Sequence, residues 1–122
     1  MAEKRVVLSI GLLASNRKDT IKKCLDSLQS IREVIPCQLI ITDTGCDADL
    51  RITLEQYADT INEFTWCTDF AKARNANLSQ AVGEWYLYLD DDEWFVDTEE
   101  LIDFFKSGAY KKFEGACYVQ HN

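Results

Sequence analysis

Four consecutive acids, Asp90-Asp91-Asp92-Glu93, follow directly on the apolar, aromatic run Trp85-Tyr86-Leu87-Tyr88-Leu89. This is the pattern of a buried strand delivering carboxylates to its C-terminal end. Two like charges about 4 Å apart cost on the order of 4 kcal/mol at an effective dielectric near 20. Either water solvates the cluster, as in an acidic turn ahead of a helix, or a cation neutralises it. Oxygen ligands on a short loop suit Mg²⁺ or Mn²⁺, which take one or two carboxylates together with substrate phosphates.

Other polar groups stand at comparable places. Asp43, in Asp43-Thr44-Gly45-Cys46-Asp47, follows the apolar Leu39-Ile40-Ile41. Either it forms an Asx turn that shapes the loop at Gly45, or its carboxylate accepts hydrogen bonds from a base or sugar. Ala14-Ser15-Asn16-Arg17 is a polar turn after the first apolar run. Lys72 and Arg74 are two residues apart on an expected helix and do not share a face. Each is either a solvated surface charge or, for Arg74 with Asn75, a group reaching a phosphate or nucleotide. Neither GxGxxG nor GxxxxGK[ST] occurs, so no glycine-rich phosphate loop is expected. His121, at the C-terminal end, is the single histidine, which argues against a histidine-based triad. Cys46 is the one cysteine placed near these groups, and without a histidine beside it reads as structural.

These groups need a scaffold that brings them together. Val6 to Leu13 is a near-continuous apolar run with β-branched members, hence a buried strand. Ile21, Cys24, Leu25, Leu28 and Ile31 recur at helical spacing and predict an amphipathic helix over residues 18–31. Pro36 marks the connection to a second buried strand, Cys37 to Thr42. Asp47 or Asp49 then caps a helix with Leu50, Leu54, Tyr57 and Ala58 on its apolar side. Ile61 to Trp66 reads as a short third strand, and Asp69 caps a helix from Phe70 to Val82 closed by Gly83. Trp85 to Leu89 is the fourth strand. Asp97-Thr98-Glu99-Glu100 starts a helix with acids at the positive end of its dipole, Leu101, Ile102, Phe104 and Phe105 supply its buried face, and Gly108 closes it. Ala116 to Val119 begins a fifth strand.

Strands alternating with helices predict an α/β domain, a three-layer α/β/α stack around a mostly parallel sheet with right-handed crossovers. Ligands of such sheets bind beyond the carboxyl ends of the strands, where strand order reverses. Ala14 to Arg17, Asp43 and Asp90 to Asp92 all fall at expected strand ends and therefore share one edge. That convergence is the argument for a site.

The 122 residues fit a single domain, residues 1–122, without internal repeats. A composition 47% apolar and 28% charged, with one proline, predicts a compact globule. A net charge of −8 argues against a nucleic-acid surface, so an anionic ligand needs local basic groups or a bridging metal. Five scattered cysteines with no CxxC pair fit reduced thiols in a cytoplasmic protein. The charged start, Met1 to Arg5, is followed by only about eight mostly apolar residues, too few for a transmembrane segment and wrongly flanked for a signal peptide.

Asn16-Arg17, Cys24-Leu25-Asp26-Ser27-Leu28, Ile41-Thr42-Asp43-Thr44-Gly45, Phe70-Ala71-Lys72-Ala73-Arg74-Asn75, Ala81-Val82-Gly83-Glu84-Trp85 and Leu89-Asp90-Asp91-Asp92-Glu93 occur in that order. Together, over about residues 6–106, they resemble the nucleotide-sugar-binding half of family 2 glycosyltransferases with the Rossmann-like GT-A fold. The resemblance implies an inverting, metal-dependent glycosyltransferase that takes a UDP-sugar. Asp43 would hold the uracil, with Ala14, Ser15, Asn16 and Arg17 nearby, and Arg74 would face the nucleotide or its phosphates. Asp90-Asp91-Asp92 matches the DxD motif of nucleotide and metal binding. Asp90 would address the ribose or a metal-bound water, and Asp92 would coordinate the Mn²⁺ or Mg²⁺ bridging the diphosphate. An acceptor hydroxyl, on a glycan, lipid or protein, would attack the anomeric carbon from the opposite face.

Two departures stand out. Cys46 occupies the family's serine position, and Ala48 stands where its last acid falls, flanked by Asp47 and Asp49. The family's general base and acceptor site belong to a segment after the fifth strand, so no base is named here. Glu93 is read as a structural partner of the acidic loop. The chain is thus expected to be the truncated, donor-binding half, inactive in transfer by itself. The alternative is a degenerate GT-A-like module that binds a partner or a divalent ion. A receiver or phosphatase of the doubly wound class is disfavoured, because those carry their key acids after the first strand, where this chain has Ala14 to Arg17.

Overall fold

The structure is a computed structural model that describes residues 5–112. The elements run β1 (Leu8–Ala14), α1 (Lys18–Ser27), α2 (Gln29–Val34), β2 (Cys37–Asp43), α3 (Ala48–Tyr57), β3 (Thr60–Glu63), α4 (Phe70–Leu78), β4 (Trp85–Asp90) and α5 (Glu99–Lys106), followed by a 3₁₀ turn at Ala109–Lys112. The expected fifth strand and His121 lie outside the described residues. No helix among the described residues is long and apolar enough to cross a membrane.

The four strands form a parallel sheet in the order β3-β2-β1-β4. The chain steps outward from β1 through β2 to β3 and then returns to the other side of β1. Strand order therefore reverses between β1 and β4.

The two faces of the sheet differ in chemistry. Leu8, Ile10, Leu12 and Ala14 of β1, with Leu39, Ile41, Leu87 and Leu89, pack on Ile21, Leu25, Ile31, Leu50, Leu54 and Phe105 from α1, α2, α3 and α5, and on Leu28 at the junction of α1 and α2. Burial of each of the leucine, isoleucine and phenylalanine side chains contributes roughly 1.5–3 kcal/mol. The opposite face is covered by α4 and carries a buried polar layer. Asn77 of α4, fully buried, donates to the carbonyls of Leu12 and Ile40 and to Thr42 Oγ1, and accepts from Tyr86 Oη. Gln38 accepts from Ser9 Oγ and from the Val82 amide. Among the described residues every buried side-chain nitrogen and oxygen has a partner.

Strand ends shift by one or two residues, β1 running Leu8–Ala14 rather than Val6–Leu13, and three boundaries differ by more. The helix expected over residues 18–31 is two helices. Ser27 Oγ takes the Cys24 carbonyl at 2.7 Å, the Leu28 amide turns to Leu25 O at 3.2 Å, and the ladder restarts while the apolar stripe continues. The helix expected to reach Val82 ends at Leu78. Beyond it, Gln38 captures the Val82 amide and Ser9 Oγ captures the Gly83 amide, both side chains of the sheet. Gly83 is therefore a point of close approach, not a helix cap: a Cβ there would lie 2.7 Å from the Ser9 nitrogen. β3 ends at Glu63 rather than Trp66, its last rung being Phe64 N to Asp43 O at 2.9 Å. The other caps follow expectation. Asp47, not Asp49, accepts from the Leu50 amide at 2.9 Å, Asp69 accepts from that of Lys72 at 3.2 Å, and Gly108 ends α5 at φ 81°.

Candidate functional site

The pairing register sets Ala14 opposite Asp43, Asp43 opposite Glu63, and Leu13 opposite Asp90. The loops after β1, β2 and β4 thus leave one edge of the sheet, at the place where strand order reverses.

The loops after β1 and β4 are joined through Asp91. This residue is only 3% exposed, and its carboxylate accepts from Ser15 N at 2.9 Å and Ser15 Oγ at 3.1 Å. Arg17 Nε stands 3.4 Å away on the other oxygen, and Thr20 Oγ1 holds the Asp91 carbonyl at 2.9 Å. Burial pushes the Asp91 carboxyl above its ordinary range, against the Ser15 bonds and Arg17. Arg17 also reaches outward, its Nη1 lying 2.6 Å from Asp92 Oδ2. Asn16 is held in the left-handed region at φ 67°. Its Oδ1 accepts from the Asp47 amide at 3.1 Å, and Lys18 pairs with the Asp47 carboxylate. An open depression bordered by Asn16, Arg17, Lys18, Thr20 and Asp92 lies beside this turn.

Asp90 leaves β4 with its amide held by Glu93 Oε1 at 3.0 Å, which makes Glu93 a brace of the acidic turn. Tyr88 Oη donates to Asp90 Oδ1. The guanidinium of Arg74, on α4, lies 4.0 Å from the centre of the Tyr88 ring. Arg74 and Asp90, distant in sequence, are thereby linked through one phenol.

Asp43 forms an Asx turn. Its Oδ1 accepts from the amides of Gly45 at 2.9 Å and Cys46 at 2.7 Å, while Oδ2 meets Arg51 Nη1 at 3.0 Å. Burial opposes its charge, yet the two amides and Arg51 outweigh burial and hold the carboxyl below its ordinary range. Cys46 donates its thiol to the Ala14 carbonyl at 3.4 Å, and burial pushes that thiol up to about 11, so it remains protonated at neutral pH.

The structure therefore gathers Ala14, Ser15, Asn16, Arg17, Asp43, Asp90, Asp91 and Asp92 along one edge, with Arg74 approaching through Tyr88. Within the set, Asp91 faces inward and Asp92 is half-exposed. Sequence reasoning passed over Thr20, Arg51 and Tyr88. Thr20 and Arg51 sit at helix positions that read as ordinary surface, and Tyr88 sat inside an apolar strand. As candidate ligands, Asp90 and Asp92 offer only oxygen, two positions apart at a strand exit. That donor set suits a hard divalent cation that shares its shell with phosphate. Among the described residues no three acidic, thiol or imidazole groups converge on one point, so such a cation would rely on ligand oxygens as well.

An open parallel sheet, reversing at β1 and carrying its polar loops on the carboxyl edge, is the architecture of nucleotide-binding α/β domains. The sequence model of glycosyl transferase family 2 matches residues 9–114, and the chain belongs to that family. A TPR repeat-containing protein of Synechococcus elongatus is 31% identical over 90 residues, covering 73% of this chain and 21% of that protein. The SPbeta prophage-derived glycosyltransferase SunS of Bacillus subtilis is 28% identical over 95 residues, covering 72% and 20%. This chain thus spans about a fifth of these relatives. Among solved structures, S. aureus TarS residues 1–349 in complex with UDP-GlcNAc superposes with a TM-score of 0.71 at 19% identity, over 94% of this chain and 37% of that 1–349 chain. The mannosyltransferase PcManGT from Pyrobaculum calidifontis, in complex with GDP-Man and Mn²⁺, gives 0.64 at 19% identity, over 84% and 32%. The fold is that of the GT-A glycosyltransferases.

Proposed function

We propose that this domain binds the nucleotide-sugar donor of an inverting glycosyl transfer, with UDP as the nucleotide and Mn²⁺ or Mg²⁺ as the cation. The observation that carries the reading is the convergence of the loops after β1, β2 and β4 at the reversal point of the sheet, in a chain of this family. The solved relatives in complex with UDP-GlcNAc and GDP-Man support a nucleotide sugar as the ligand class.

In this reading Asp43 accepts an N–H of the base, and the Ser15 to Arg17 turn flanks the nucleotide. Asp90, oriented by Tyr88 and Glu93, faces the ribose and the cation shell. Asp92 is the principal metal ligand. Asp91 works from below, holding the two loops in register. Arg74, fixed on the Tyr88 ring, brings positive charge to the phosphate side. The cation, when bound, offsets the negative charge that develops on the departing diphosphate. The acceptor oxygen forms its bond to the anomeric carbon as the bond to the diphosphate breaks, and the hydroxyl proton goes to a base that we do not assign to this chain.

The test is calorimetric titration of UDP, with and without Mn²⁺, into this protein and its Asp92→Asn variant. The expected outcome is metal-dependent binding that weakens by roughly tenfold or more in the variant. Metal-independent UDP binding unchanged in the variant would sink the roles of the cation and Asp92, and absence of UDP binding would sink the donor site. The competing reading, a binding module that has lost its donor, draws on one observation. Arg17 already sits on Asp92 and beside Asp91, so the acidic loop carries its own counter-charge.

A further inference from the structure

The fold leaves the identity of the nucleobase open, since similar structures hold UDP-GlcNAc in one case and GDP-Man in another. The surroundings of Asp43 narrow the choice. A carboxylate offers about four acceptor sites, two on each oxygen. On Oδ1 both are taken, by the amides of Gly45 and Cys46. On Oδ2 one is taken, by Arg51 Nη1 at 3.0 Å. Arg51 is itself pinned by further acids: Nη1 also lies 2.8 Å from Glu63 Oε1, and Nε lies 3.1 Å from Glu55 Oε1. Glu63 is the residue paired with Asp43 across β2 and β3, so without the guanidinium two carboxylates would face each other at this edge. The Asp43 side chain keeps 9% of its surface exposed.

We infer that Arg51 is a specificity-determining residue, which holds one oxygen of Asp43 and leaves that carboxylate a single acceptor site matched to uracil. The inference rests on the donor site proposed above. Uracil presents one imide N–H between two carbonyls. The N–H fits the remaining acceptor site, and a flanking carbonyl is drawn to the guanidinium. Guanine presents neighbouring N1–H and N2–H donors that call for two acceptor oxygens. The Gly45 and Cys46 amides fill Oδ1, and Arg51 takes the second site of Oδ2, so the second donor meets a cation that repels it. Cytosine turns an N3 lone pair towards the carboxylate. The selection is therefore partly repulsive, the more effective way to exclude a near-isostere.

The experiment is titration of UDP, GDP and CDP in the presence of Mn²⁺ into the wild type, Arg51→Gln and Glu63→Gln, with thermal unfolding of each protein recorded in parallel. The wild type is expected to favour UDP over GDP and CDP by roughly tenfold or more. Arg51→Gln should weaken UDP while GDP holds or improves, narrowing the UDP-to-GDP ratio. Glu63→Gln loosens the guanidinium without removing it and should move the ratio the same way by less. It serves as the readout should Arg51→Gln fail to fold. Equal weakening of both nucleotides, or a ratio unchanged in both variants, makes Arg51 merely structural and overturns the inference while leaving the donor site standing. GDP bound as tightly as UDP by the wild type also overturns it. No nucleotide bound by the wild type removes the donor reading itself, and this inference with it.

Discussion

Two carboxylates at the same sheet edge are tuned in opposite directions, and the difference lies in their partners. Asp43 is partly buried, but faces two amides, the Cys46 thiol and Arg51, with Glu63 and Glu55 beyond the guanidinium. Its lowered pKa means that it stabilises the fold above the ordinary carboxylate value and that this contribution is lost as pH falls through the lowered value. Asp91 faces Ser15 and Arg17 but has Asp92 beside it and is more deeply desolvated. With its pKa raised, the native state takes up a proton first, so its contribution weakens as pH rises from the ordinary value through the raised one. Asp43→Asn should therefore cost about 2 kcal/mol at neutral pH, because charge-assisted bonds are lost and an amide nitrogen is set against Arg51. That loss should shrink as pH drops below about 4, in urea unfolding followed at both pH values. At Asp91 the isostere is gentler: Asp91→Asn keeps an oxygen for Ser15, whereas Asp91→Ala strands the Ser15 amide. The alanine variant should be less stable than the asparagine one by about 1–2 kcal/mol. Equal losses in the two would refute the strut assigned to Asp91.

At the scale of elements, α4 is tied to the sheet by polar bonds where the other face uses apolar packing. Gly11 is the point of closest approach: a Cβ there would lie 2.1 Å from Tyr86 Oη and 2.2 Å from Asn77 Oδ1. Gly11→Ala must break the Tyr86–Asn77 bond and push α4 outward. A loss of about 2–4 kcal/mol is expected, read from the shift of a urea midpoint. Because Arg74 rides on α4 and meets Asp90 through Tyr88, the same variant should also weaken UDP binding. Full stability in Gly11→Ala would mean that α4 is not seated on this polar layer.

At the scale of the whole molecule, the aliphatic core and the candidate site draw on different side chains. The aliphatic core runs through Leu12, Leu28, Ile41 and Leu54, all fully buried on the face away from α4. Leu12→Ala should cost about 2–5 kcal/mol by removing buried methyl groups and leaving a cavity. Affinity for UDP, measured on the folded protein well below its unfolding midpoint, should change by less than about threefold. A parallel loss of affinity would show that the edge is held by the core and not by its own ion pairs. A net charge of −8 sits against this division, since the basic groups of the edge, Arg17, Lys18, Arg51 and Arg74, are each engaged by acids or an aromatic ring.

Much of this was legible in the residue pattern. Apolar runs of strand length, alternating with helical stripes, determine a parallel α/β sheet, because only buried strands flanked by helices satisfy both periods. The abrupt change from Leu89 to Asp90, or from Ile41 to Asp43, marks strand ends and places their acids on one edge. What the pattern could not decide is which acid faces which partner. Three adjacent aspartates look alike in one dimension, and only the register of β1 against β4 turns Asp91 inward to Ser15 while Asp92 stays outside. Arg51, on α3 and eight positions beyond Asp43 in the chain, becomes its counter-ion only once the helix folds back over β2. Helix ends followed the same logic: residues 79–83 carry no signal that stops a helix before Gly83, but Gln38 and Ser9 compete for their amides from the sheet. Periodicity is local and is written in the chain, whereas competition for a hydrogen bond between segments distant in sequence exists only after they meet.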